Sequence, residues 1–246
     1  MRNINMILCE GETDQVLMGA YIMRTTNWEW LKLKDPPFSK QGIAWYKDKN
    51  DSERVMGIWL MGGNDFIPAV REIAKRAKYE SSVSKLLIVT DHDDDIDAER
   101  ERPEGIYSVL CSELGAQYNL GQYSLHEWST INFTDRSGEK THMQVYYLLV
   151  PTDSKGALET FMLNALSEKD EEKKKVIKCA KKFVKFVSEK REYLKSRRDK
   201  IKAELGVSLA VFSPDKAFST MKEIIDSVDW TKFDSTQHQF QVLKQM

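Results

Sequence analysis

The chain has 246 residues, 41% hydrophobic and 30% charged, a balance that excludes a wholly disordered protein. The length suits one large domain or a domain with an appendage, at roughly 100–200 residues per domain. The net charge of −1 marks no strongly basic or acidic protein, and no apolar run approaches the ~18 residues of a membrane span.

The first residues, Met1 to Glu10, hold too short an apolar run for a secretion signal and put an acid where its cleavage site should fall. A soluble cytoplasmic protein without membrane contact is therefore expected. Ile4 to Cys9 reads as a buried strand. Val16, Leu17, Ala20 and Tyr21 then recur with helical spacing, so the start reads strand, tight turn, helix. Residues 25–51 show no regular period, and Asp35-Pro36-Pro37 marks a loop. Val55 to Met61 reads as a second strand, closed by Gly62-Gly63. Asn64 is placed to cap a helix whose apolar face runs Phe66, Ile67, Val70, Ile73, Ala74 and Ala77.

Leu86 to Thr90 reads as a third strand, running into Asp91-His92-Asp93-Asp94-Asp95. A helix is expected between Ala98 and Ala116, interrupted at its start by Pro103-Glu104-Gly105. Asp135-Arg136-Ser137-Gly138 predicts a hairpin turn within a polar stretch. Val145 to Val150 is a fourth strand ended by Pro151, and a helix restarts near Gly156. Val176, Ile177, Ala180, Phe183, Val184 and Val187 mark an amphipathic helix. More helix is expected to about Leu205 and again from Asp215 to Val228. Alternating strands and helices imply an α/β fold: a mostly parallel sheet of four or more strands, helices on both faces, and a helical C-terminal extension. The division reads as 1–166 for the sheet domain and 167–246 for the extension packed on it.

The overall charge conceals an asymmetry. Residues Lys169 to Lys202 hold 15 Lys and Arg against 6 Asp and Glu, a net of +9 that leaves −10 for the rest. Such a segment would track a phosphate backbone; the solvated face of an amphipathic helix accounts for most of its lysines without a partner. Cys9, Cys111 and Cys179 are too scattered for a disulfide framework or a zinc ribbon and read as small, mostly buried thiols.

Ligands of parallel sheets bind beyond the carboxyl ends of the strands. Strand one ends there in Glu10-Gly11-Glu12-Thr13-Asp14, and strand three in Asp91-His92-Asp93. The fourth leads through Lys155-Gly156 to Glu159. Acids gathered at one edge repel each other unless a cation holds them, and hard oxygen ligands suit Mg²⁺ or Mn²⁺. Asp14 lies one helical turn from Glu10, Gly11 lets backbone pass close to a ligand, and Gly63 would offer an amide to phosphate. His92 would ligate a metal or point to solvent.

Glu10-Gly11-x-x-Asp14 after one apolar strand, with Asp91-x-Asp93 after another about eighty residues on, resembles the Toprim domain. That Rossmann-like domain is shared by topoisomerases, bacterial primases, a ribosomal RNA maturase and the overcoming-lysogenization-defect nucleases. Gly156-x-x-Glu159 is similar to a feature of small standalone Toprim proteins, and the acid at Asp14 is most like the nuclease and maturase branches. The resemblance covers roughly residues 1–165. It implies Glu10 as general acid/base or metal ligand, Asp91 and Asp93 as holders of Mg²⁺, and Asp14 and Glu159 as a second metal position. Lys155 or Lys216 would stabilise developing negative charge. There is no P-loop motif, so no ATPase is fused, and the chain is too short for strand passage. The implied activity is Mg²⁺-dependent phosphodiester hydrolysis of DNA or RNA. The alternative is a noncatalytic nucleic-acid or protein-binding subunit that works with a separate partner such as an ATPase.

Overall fold

The computed structural model describes residues 3–246 apart from 33, 35, 39, 64, 81, 93–95, 119–122, 191–192 and 217–218, and only the backbone of 96–101 and 190. Seven strands form one sheet in the order β2-β3-β4-β1-β5-β7-β6. They are β1 (Asn3–Cys9), β2 (Trp28–Leu31), β3 (Ile43–Asp48), β4 (Arg54–Leu60), β5 (Val83–Asp91), β6 (Ser129–Thr134) and β7 (Lys140–Val150). The four strands read from the sequence form the parallel centre, β4-β1-β5-β7. The outer strands β2, β3 and β6 pair antiparallel, which makes the whole sheet mixed.

The central strands are apolar throughout because both faces are covered. In β1, Met6 and Leu8 enter one core while Ile7 and Cys9 enter the other; in β5, Leu86 and Ile88 oppose Leu87 and Val89 in the same way. One face carries α2 (Ile67–Glu80) and α3 (Ile96–Leu114). The other carries α1 (Glu12–Thr25), α4 (Leu158–Ser167) and the C-terminal elements. These are α5 (Glu171–Lys190), α6 (Arg197–Phe212), α7 (Met221–Ser227), α8 (Asp234–Gln239) and three short 3₁₀ turns. Trp230, Phe240 and Leu243 are fully buried in the same core as Leu17, Tyr21 and Phe161 of α1 and α4.

Several expectations are corrected. Residues 25–51 contain β2 and β3, strands too short to display a period. Pro103 lies inside α3 rather than breaking it, because Ile106, Tyr107, Leu110, Cys111 and Leu114 hold that face against the core. The helix expected from Asp215 is a 3₁₀ turn, Pro214–Lys216, followed by the separate α7, whose N-cap Thr220 accepts the Glu223 N–H. Phe183 is 57% exposed and Cys179 is exposed, since the buried stripe of α5 runs through Ile177, Ala180 and Val184. The hairpin turn is present: Asp135 Oδ1 accepts the Ser137 N–H at 2.8 Å and Gly138 has φ 89° between β6 and β7. Among the described residues, no helix is long and apolar enough to cross a membrane. The proposed cap Asn64 lies outside the described residues.

Candidate metal centre

Connections from β1 and β4 place the site. β1 leads through α1 on one face to β4, and β4 leads through α2 on the opposite face to β5. The helices that follow β1 and β5, α1 and α3, also lie on opposite faces, which opens a crevice at the carboxyl ends of these strands. Cys9 pairs with Val89, so Glu10 lies level with Thr90 and Asp91 one step beyond.

The Asp91 N–H donates to Glu10 Oε1 at 3.2 Å. Asp91 Oδ1 in turn accepts the Leu158 N–H at 3.0 Å, where a helix N-terminus favours an anion, so Asp91 caps α4. Glu159 follows in that first turn and is buried, as is Glu10, each 7% exposed. Asp14, in the first turn of α1, accepts the Gly11 N–H on Oδ2 at 2.8 Å. Four carboxylates, one just after β1 and the others on α1, β5 and α4, therefore gather around one edge, near enough to repel one another.

Their proximity is read in their acidity. Burial pushes the Asp91 carboxyl up to about 8, with Glu10, Asp14 and Glu159 adding repulsion against the Leu158 hydrogen bond. Asp14 is raised to about 7, first by burial and then by Glu10 and Glu159, while the Gly11 N–H and Arg198 oppose the rise. The neighbouring Cys9 thiol is also pushed well up, by burial and by Asp14 and Glu10. Cys9 is inert as a nucleophile in this state.

Arg198 was not foreseen. It reaches in from the first turn of α6, its Nη2 3.6 Å from Glu10 Oε2 and 4.0 Å from Asp91 Oδ2. The guanidinium is 52% exposed, so water screens it and it does not cancel the repulsion that keeps Asp91 high. The sequence did hold a signal. Ser196-x-x-Asp199 forms a capping box, which puts Arg197 and Arg198 where a helix dipole disfavours cations. For Arg198 the acids offset that unfavourable placement.

Other expected residues are distributed less evenly. Gly11 caps α1 with φ −139°, extended backbone open to any residue, and a Cβ there would touch Asp14 Oδ2 at 3.4 Å. Gly63 spends its amide on the Glu10 carbonyl oxygen at 3.1 Å and precedes the start of α2, so it offers no N–H to phosphate. His92 holds the Pro151 carbonyl through Nδ1 at 2.8 Å and bridges to Gly156, which ties the β5 exit to the loop before α4. Lys155 is exposed in that loop. Lys216 follows the far end of α6, about 20 Å along its axis from Arg198, and does not join the cluster. Asp93, with Asp94 and Asp95, lies outside the described residues.

Among the described residues, no three ligating groups stand close enough to hold an ion as they are. The arrangement is an open one in which two carboxylate oxygens, Glu10 Oε2 and Asp91 Oδ2, face one cationic position now approached by a guanidinium.

No curated protein matches the chain in sequence. Among solved structures it is similar to the hypothetical protein PH0156 from Pyrococcus horikoshii OT3, with 16% identity and a TM-score of 0.48, covering 100% of this chain and 99% of that one. Residues 4–245 match the family described as Protein of unknown function (DUF3226), and with nearly its whole length inside that match the chain belongs to this family.

Proposed function

We propose that the protein is a phosphodiester hydrolase of the Toprim type, acting on DNA or RNA with Mg²⁺ or Mn²⁺. The observation that carries this reading is the meeting of Glu10, Asp14, Asp91 and Glu159 at the β1–β5 crevice, with two of them facing a shared cationic position. The donors are all hard oxygens on rigid elements, which fits such an ion. Glu10 and Asp91 would hold it, and Asp14 or Glu159 would have to draw closer to complete the set. Bound there, the ion supplies charge stabilisation to the scissile phosphodiester and makes water a better nucleophile.

The chain's own groups do the rest. Glu10, oriented by the Asp91 N–H, accepts the proton of the attacking water. Asp91 is fixed by α4 through Leu158, so its free oxygen points consistently at the reacting centre. Arg198, on a half-exposed arm, moves from the acids to an anionic substrate oxygen. The lysine groove on α5, lined by Lys174, Lys178, Lys181, Lys182 and Lys185, supports a polyanionic substrate.

Cleavage of single- and double-stranded DNA and RNA with Mg²⁺ or Mn²⁺ tests this. Asp91→Asn keeps the acceptor for Leu158 and removes the charge; activity should fall by about a hundred-fold or more, at least what losing a supporting group of a metal site costs. Equal cleavage by both proteins overturns the assignment of the activity to this site, and none by either despite measurable metal binding overturns the hydrolase reading in favour of a noncatalytic binding subunit.

A further inference from the structure

We propose that a second cavity, between the β6–β7 edge and the C-terminal turn, binds an unpaired nucleobase of the substrate; the choice of ligand rests on the hydrolase reading. The cavity measures about 450 Å³, within the range of small-molecule sites, and is lined by His126, Trp128, Tyr146, Leu148, Thr152 and Gln245. Its aromatic wall is held in advance. Trp128 meets Tyr146 edge-on with ring centroids 5.2 Å apart and donates its indole N–H to Gln245. Lys85 Nζ lies 5.2 Å from the Trp128 ring centroid and bonds the Gln245 carbonyl. A rigid ring set in this way stacks a base at low entropic cost.

One residue of the wall, His126, is unusual in conformation and carries an unpaired atom behind the cavity surface. His126 adopts φ 61°, a left-handed conformation rare outside glycine, and its Nδ1 is buried with no hydrogen-bond partner among the described residues. Strain and an orphaned buried nitrogen in one residue on one cavity wall are features that ligand sites concentrate. Glu127 at the rim repels a phosphate, so a neutral ring fits better than an anion.

The cavity is joined to the acids. Asp91 is followed by His92, whose Nδ1 bonds the Pro151 carbonyl, and the next residue, Thr152, lines the cavity. Lys85, beside the Trp128 ring, stands six residues or about 20 Å before Asp91 along β5, so a strand with one phosphate at Glu10 and Asp91 would bring a base to the cavity a few nucleotides further along. A base within a duplex cannot enter, so the site selects single strands or frayed ends.

The test uses single-stranded DNA and RNA pentanucleotides, intact or with an abasic central position, with EDTA to prevent hydrolysis. Kd is measured for wild type, Trp128→Leu and Trp128→Phe, each checked by thermal unfolding. Trp128→Leu should weaken intact strands about ten-fold and leave abasic strands unchanged, as loss of a stacking ring does. Trp128→Phe loses the bond to Gln245 but keeps a ring, and should retain most of the affinity. Equal loss for intact and abasic strands, no loss for either, or no binding at all overturns the subsite. Metal-dependent cleavage without base-dependent binding removes the subsite alone; base-dependent binding without cleavage removes the hydrolase reading alone.

Discussion

Asp91 accepts the Leu158 N–H, gives its own N–H to Glu10 and faces Arg198, yet holds its proton up to about 8. Asp14 behaves alike at about 7. In the unfolded chain both titrate near ~4. Between about pH 4 and pH 8 the folded state therefore binds more protons than the unfolded one, and these two groups make stability fall as pH rises. With EDTA present, Tm should drop from pH 5 to pH 8. Asp91→Asn should raise Tm at pH 8 by about 2–8 °C, as ~1–2 kcal/mol does in a chain of this size, and change little at pH 5. Mn²⁺ should recover the wild-type loss at pH 8 and do less for the variant. A wild-type Tm that climbs over this window would contradict the repulsion. At this scale Glu10 and Asp91 were legible because each closes an apolar run that had to be a strand, and Asp14 because it lies one helical turn on from Glu10. Arg198 was not, because its partners depend on where α6 packs.

At the scale of elements, α5 shows what periodicity conveys. Ile177, Ala180 and Val184 form its buried stripe, and the lysines stand outside as the pattern required. Phe183, read from the sequence as part of the apolar face, is exposed because apolar type alone does not say how much of a helix its neighbours cover. If the groove tracks a phosphate backbone, Lys178→Ala with Lys182→Ala should weaken nucleic-acid binding. The slope of log K against log salt should become shallower by about 2, one unit per lost contact. Fluorescence titrations at several salt concentrations would read it, and an unchanged slope assigns these lysines to solvation. The missed strands β2 and β3 illustrate the opposite limit: four and six residues give too few alternations to read.

For the whole molecule, the C-terminal third closes the core that α1 and α4 begin. Trp230 is 1% exposed and gives its indole N–H to the Ile225 carbonyl, while Phe240 packs between Tyr21 and Phe161. Gln239 accepts the Thr152 N–H and donates to the Leu149 carbonyl, which anchors α8 to the end of β7. Trp230→Ala should cost about 3–5 kcal/mol, the range for removing a buried aromatic, and shift the chemical-unfolding midpoint down in a single transition. A separate early transition with an unperturbed sheet would instead mark the C-terminal helices as an independent layer.

The sequence by itself determined the parallel centre and the acids at its edge. Strands buried on both faces must be apolar throughout, and carboxylates directly after such strands have only the sheet edge to occupy. The tertiary structure decided the rest: which carboxylates meet, that Arg198 faces Glu10 and Asp91, and that Gln245 closes a cavity over Trp128. These contacts join residues far apart in the chain. They depend on strand order and on the helix packed over each edge, and no local period encodes either.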